Sequence, residues 1–296
     1  MPVADDFEAL LESPSEDGYK RHVERLRSEI HDLRREIARR APESSSPKPR
    51  THLVIGDSHS DPDVPNDRYV WLGKLVREVR PDVVVDIGDW ADMGSLSSYD
   101  KGKRSFEGRR YHKDVDHAIK AREVFHRELR GLRYKPRLIH TRGNHEHRID
   151  KATDEQPALD GLISTDDLKV KDFGWEEHPF MVPAFADGIA YCHYFASGVM
   201  SRPIGGMHLA SALLRLGFMS CVQGHSHTYD HAERTRVDGS KVLGLSVGCY
   251  FGHYMSWAGS QANAMYYRGI VVIREVESGY GQVEKISYET IRRKHG

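Results

Sequence analysis

Between residues 51 and 141 the chain alternates between two textures. Short apolar runs, His52-Leu53-Val54-Ile55, Asp82-Val83-Val84-Val85-Asp86-Ile87 and Arg137-Leu138-Ile139-His140, are separated by longer stretches with spaced apolar positions. Continuous apolar character predicts strands buried on both faces. In residues 67–79, Val70, Leu72, Leu75, Val76 and Val79 mark one side of a helix, and a second helix is expected over 113–131. Strand, helix, strand, helix, strand is the opening of an α/β sheet. Further on the pattern changes to short strands at 180–182, 189–193, 219–223, 229–236, 241–247, 269–275 and 282–288. A helix at 207–216 and a hairpin turn at Asp238-Gly239 interrupt them.

The N-terminal texture is different again. Over residues 19–40, Val23, Leu26, Ile30, Leu33 and Ile37 step by three or four among mostly charged neighbours, which predicts a charged amphipathic helix. About three heptads is short for a lone coiled coil, so such a helix needs a second copy, giving a homo-oligomer, or a surface of its own chain. Residues 1–17 form an acidic lead-in, and 41–50 read as a Pro/Ser linker. The expected organisation is 1–40 for lead-in and helix, 41–50 for the linker, and 51–296 for the catalytic domain.

Composition narrows the partners. The formal net charge of −1 over 296 residues leaves no global basic field, so any nucleic-acid contact has to be local. Cys192, Cys221 and Cys249 are odd in number and lie in apolar runs, which argues for core positions in a reducing, cytoplasmic setting. No basic-then-apolar leader and no run of about 18 apolar residues is present, so no membrane partner is expected.

The chemistry concentrates in five short blocks, each placed where a predicted strand ends: Gly56-Asp57-Ser58-His59, Gly88-Asp89, Gly143-Asn144-His145-Glu146, His193, and Gly224-His225-Ser226-His227. In α/β sheets ligands collect outside the carboxyl ends of strands. Carboxylate, imidazole and amide oxygen together suit divalent transition ions. Alone, Asp-x-His and Gly-Asp are weak patterns, whereas Gly-Asn-His-Glu and Gly-His-x-His are specific. On an extended backbone His225 and His227, alternating about Ser226, would point the same way.

In this order the blocks resemble the calcineurin-like metallophosphoesterase family, in its phosphodiesterase-like, bacterial or phage branch, over about residues 51–250. The resemblance implies an α/β fold built as a four-layer α/β/β/α sandwich. It implies a first metal on Asp57, His59 and His227, a second on Asn144, His193 and His225, and Asp89 bridging both. His145 would protonate the leaving oxygen with Glu146 orienting its imidazole, while Asn144 also neutralises transition-state charge. The implied cofactors are two divalent ions, manganese first, with iron, zinc, nickel or magnesium suiting the same donors. The implied reaction is in-line attack on phosphorus by a metal-bridging hydroxide.

The departures carry information too. Tyr194 stands where the family usually follows its histidine with glycine, and Glu146 where aspartate is commoner. The Gly-Asp-x-x-Asp-Arg-Gly extension of the protein phosphatases is missing its arginine after Asp92, which turns the expectation toward a nucleotide or nucleic-acid diester, nucleases included. Arg142, Arg148 and His208 are candidate substrate contacts. So is the loop 95–112, where Lys101, Lys103, Arg104, Arg109 and Arg110 interleave with Tyr99, Phe106 and Tyr111. The competing readings are a phosphomonoesterase or protein phosphatase, and a non-catalytic interaction scaffold on the same fold.

Overall fold

The computed structural model describes residues 22–26, 28 and 48–296. Within the predicted N-terminal helix, residues 22–26 and 28 are helical; the rest of it, the acidic lead-in and residues 41–47 of the linker lie outside the described residues.

The domain from residue 50 onward opens as its periodicity requires. β1 (Arg50–Ile55), α1 (Asp67–Val79), β2 (Val83–Asp86), α2 (Tyr111–Leu129) and β3 (Arg137–Thr141) come first, followed by α3 (Arg148–Glu155) and β4 (Glu176–His178). β1 to β4 are parallel neighbours. Two late strands, β12 (Gly269–Glu277) and β13 (Tyr280–Ser287), add antiparallel to the free side of β1, giving the order β13-β12-β1-β2-β3-β4.

A second mixed sheet comes from the middle of the chain: β5 (Ala184–Ala186), β6 (Ile189–Cys192), β9 (Ser220–Gln223), β10 (Tyr229–Thr235) and β11 (Lys241–Val247), in the order β10-β11-β9-β6-β5. β11, β9 and β6 run parallel, and a small ribbon of β7 (Ala196–Ser197) and β8 (Arg202–Pro203) lies outside both sheets.

Strand pleating decides which face goes where. Val54, Val85 and Ile139 pack against Ile189, Tyr191, Val222 and Leu245 in a core between the sheets. Their neighbours Leu53, Ile55 and Val84 turn the other way, onto Leu72 and Val76 of α1 and Ala121 and Phe125 of α2. α4 (Leu209–Gly217) covers the second sheet, setting Leu209 and Leu213 on Ala190 and Cys221. Each such large side chain taken fully from water contributes roughly 1.5–3 kcal/mol. The three cysteines are buried and unbridged. Among the described residues, no helix is long and apolar enough to cross a membrane.

Three elements differ from the sequence reading. Residues 180–182 are a turn, not a strand, because Pro179 and Pro183 bracket them and neither can donate to a ladder. The last strand stops at Ser287, whose hydroxyl accepts the Thr290 N–H and caps a final helix, α6 (Tyr288–His295). α5 (Gly259–Met265), like α3, spans only about two turns, too few for a repeating apolar pattern to stand out.

Candidate metal centre

Every motif leaves the carboxyl end of a strand: Asp57 follows β1, Asp89 follows β2, 143–146 follow β3, His193 follows β6, and His225 and His227 follow β9. Backbone hydrogen bonds lace these loops together. Ser58 and His59 donate their N–H groups to the Asp89 carbonyl at 3.2 and 2.9 Å, and Gly224 N–H donates to His193 O at 3.0 Å. Two glycines allow the close approach. A Cβ on Gly143 would lie 2.0 Å from Asp89 Oδ1, and one on Gly224 would lie 2.3 Å from Asp57 Oδ1.

The side chains gather into two adjoining pockets. In the first, His227 Nε2 lies 3.0 Å from Asp57 Oδ2 and 3.2 Å from His59 Nε2. His59 turns Nδ1 to Asp92 Oδ1 at 2.8 Å, which directs Nε2 inward. In the second, Asn144 Oδ1 stands 2.9 Å from His193 Nε2 and 2.8 Å from His225 Nδ1. His193 Nδ1 donates to Ile87 O at 3.1 Å, again fixing the ring by its far nitrogen. Asp89 Oδ2 lies between the pockets, 3.3 Å from His193 Nε2 and 4.0 Å from His59 Nε2.

A cation fits this donor set. Asp57 Oδ2 is buried and has no hydrogen-bond donor aligned on it. Burial alone would push the Asp57 carboxyl up, but the imidazoles of His227, His193 and His59 hold it well below the carboxylate range. The same contest, burial against His145, His193 and His59, leaves Asp89 below its ordinary value despite the neighbouring Asp57. Burial and then His193 press His225 down to about 4, keeping it a neutral donor at neutral pH. Asp57 and Asp89 therefore offer anionic oxygen and His225 a bare imidazole nitrogen, the form in which such groups bind a divalent ion.

His145 lies beside both pockets, with Nε2 3.8 Å from Asp89 Oδ2. Its imidazole is held by Asp92, through Nδ1 to the carbonyl at 2.7 Å and to Oδ1 at 3.3 Å. The sequence reading missed Asp92. The Asp89-x-x-Asp92 spacing was the available signal. Glu146, expected to orient His145, instead accepts the backbone N–H groups of Asp89, Ala91 and Gly143 at 3.0, 2.9 and 2.8 Å. Its extra methylene carries the carboxylate past the imidazole into the turn that presents Asp89.

Other expectations divide. Arg148 belongs to the centre: it donates to Asp92 O at 2.8 Å and lies 3.0 Å from His145 Nε2. Arg142 instead pairs with Glu177 at 2.8 Å. His208 is exposed just before α4 and lines a separate groove with Arg215 and Phe218, because the helix carries it to the outer face of the second sheet. The backbone at His225 and His227 is not extended: φ is +66° and +57°, and Ser226 N–H closes onto Gly224 O at 2.7 Å. That tight turn sends the two imidazoles to different pockets.

Two clefts flank the centre. One, about 400 Å³, runs from His145 past Asp61, Asp63 and Asp100 to Tyr254 and Trp257. The other, about 390 Å³, runs from Asn144 and His225 past Tyr99, Lys101, Lys151 and Tyr194. Arg148 borders both.

Two mixed sheets with helices outside, and buried His/Asp clusters at their strand ends, define a metal-dependent phosphoesterase with a dinuclear type of site. The model of the calcineurin-like phosphoesterase family matches residues 51–229, more than half of the chain, and the chain belongs to that family. No curated protein matches it. One solved structure, at 12% identity and a TM-score of 0.35, aligns over 81% of this chain and 99% of its own; so low a score carries no argument.

Proposed function

We propose that the protein is a phosphodiesterase acting on a nucleotide or nucleic-acid ester. The observation that supports this most is the pair of clefts: a diester carries a substituent on each side of phosphorus, and a cleft leaves the centre on each side. The lack of an arginine after Asp92 agrees with it.

Asp57, His59 and His227 would hold one cation, Asn144, His193 and His225 the other, and Asp89 would serve both, with manganese the first candidate. When bound, the two ions polarise the phosphoryl oxygens and supply a nucleophilic water at neutral pH. Asn144 adds its donor to the phosphoryl oxygens, and Arg148 orients the ester from the shared rim. With Arg148 turned from His145 Nε2 onto the ester, Nε2 would carry the proton for the departing oxygen while Asp92 holds Nδ1. Burial and Arg148 pull the His145 pKa down, but Asp89 and Asp92 outweigh them and raise it above its ordinary value.

The test is hydrolysis of bis(p-nitrophenyl) phosphate against p-nitrophenyl phosphate with Mn²⁺, Ni²⁺, Mg²⁺ and Zn²⁺ in turn. The diester is expected to turn over faster, Asp89→Asn to abolish turnover and His145→Ala to lower kcat by about 10²–10⁴. A faster monoester would make the protein a phosphomonoesterase. No hydrolysis with any ion would leave the scaffold reading.

A further inference from the structure

The two clefts are unlike in charge. One sets Asp61, Asp63, Asp92 and Asp100 against Lys103, Arg109 and the shared Arg148; Arg109 is engaged by Asp61 at 2.8 Å and Asp63 at 3.4 Å, and Lys103 lies 4.0 Å from Asp100. The opposite cleft holds Lys101, Arg148 and Lys151 against one carboxylate, Glu155. Arg148 is tied to Asp92 and His145, but Lys101 and Lys151 form no ion pair among the described residues.

The wall of the cationic cleft is built, not incidental. Tyr194 packs its ring 4.8 Å from His225 and edge-on to Phe180 at 5.4 Å, and Phe180 stacks on His147 at 4.4 Å. This aromatic column fixes Tyr194 at the mouth where a glycine would leave a gap. Stacking on a fixed ring and attraction to two unpaired ammonium groups together recognise a nucleoside that carries further phosphate.

Resting on the phosphodiesterase reading, we infer that the Lys101–Lys151–Tyr194 cleft is a subsite for a second phosphate of the substrate, one nucleoside away from the bond that is cut. The substrate is therefore a nucleotide chain or nucleoside bisphosphate ester that extends on the Asn144–His225 side. The acidic cleft takes the group without that extra charge. Because the ammonium groups are exposed, the attraction weakens with salt.

Matched chromogenic diesters test this: the thymidine 3′- and 5′-(p-nitrophenyl phosphate) esters, each with and without a phosphate on the other hydroxyl, assayed on the metal-loaded protein. In one of the two pairs the added phosphate is expected to raise kcat/KM at least tenfold, chiefly through KM, and to lose that gain in 0.5 M salt. The double variant Lys101→Gln/Lys151→Gln should erase the gain while keeping turnover of the shorter ester within twofold. Equal kcat/KM with and without the phosphate, or a gain that survives in the double variant, would overturn the subsite. A short oligonucleotide, run beside them, tests an internucleotide phosphate in place of a terminal one; a lysine-dependent gain there supports the subsite. If no diester is cleaved, the phosphodiesterase reading fails by itself. Binding of thymidine 3′,5′-bisphosphate against thymidine 3′-phosphate then decides the subsite: a preference lost in the double variant supports it, and equal binding rejects it.

Discussion

At the scale of single residues, the centre depends on carboxylates that do not face the cations. Glu146 gathers three backbone N–H groups, and a neutral amide in its place would turn a donor toward donors. Glu146→Gln should therefore cost about 1–3 kcal/mol, seen as a lower Tm and a loosened Asp89 turn. His145→Ala is expected to do the reverse: a fall in kcat of about 10²–10⁴ with Tm and bound metal unchanged, checked by steady-state kinetics beside metal analysis. The side chains that gather in the two pockets were legible as residue types because strand-end Asp, His and Asn have few structural uses. What Glu146 and Asp92 touch was not, since a one-methylene difference in reach and a contact between two loops leave no periodic trace.

At the scale of elements, the loops after β1, β2 and β9 place their functional residues in left-handed backbone. His59, Asp89, His225 and His227 have φ of +43°, +54°, +66° and +57°. Such conformations persist in non-glycine residues only where the surroundings over-determine them, at roughly 1–3 kcal/mol each. Gly224→Ala would drive a methyl into Asp57 and Ile87, so metal content should drop below two ions per chain, read by elemental analysis of the folded variant. Behind the site, α2 contributes His126, whose Nε2 accepts the Trp175 indole N–H at 2.8 Å; burial and then Arg122 hold its pKa down to about 4. An unfolded histidine takes its proton near pH 6.5, so this contact is fully stabilising above that pH and is lost as pH falls toward 4. In His126→Gln the Tm deficit relative to wild type should be widest near pH 7.5 and narrow by pH 4.5, as thermal melts would show. The long elements were readable from periodicity alone. The turn at 180–182 was misread because Phe180-Met181-Val182 is apolar enough for a strand, while the decisive prolines stand outside it.

At the scale of the molecule, the two sheets converge their strand ends on one place, and Asp57 and Asp89 are brought together there away from water. Divalent ions bound there would offset that repulsion and would bind only the folded chain, so removing them should destabilise it. At metal concentrations near a hundred times Kd the gain is about 2.7 kcal/mol. Chelation is thus expected to lower Tm by roughly 5–10 °C, recovered on adding back one of the candidate ions, in calorimetry with and without chelator. That the domain is α/β was evident from its first ninety residues. That β12 and β13 return to flank β1 was not, because strand pairing across two hundred residues depends on packing that no local pattern encodes.

The unlike ends of the groove across the centre have a stereochemical consequence. On the phosphodiesterase reading, a diester whose two substituents differ in charge would enter a groove with unlike ends one way round. Of the two ester oxygens on the scissile phosphorus, the one on the His145 side would then be the one that departs. Each cut would leave the phosphate on the same substituent, so product analysis of one unsymmetrical diester reads the orientation of the groove directly.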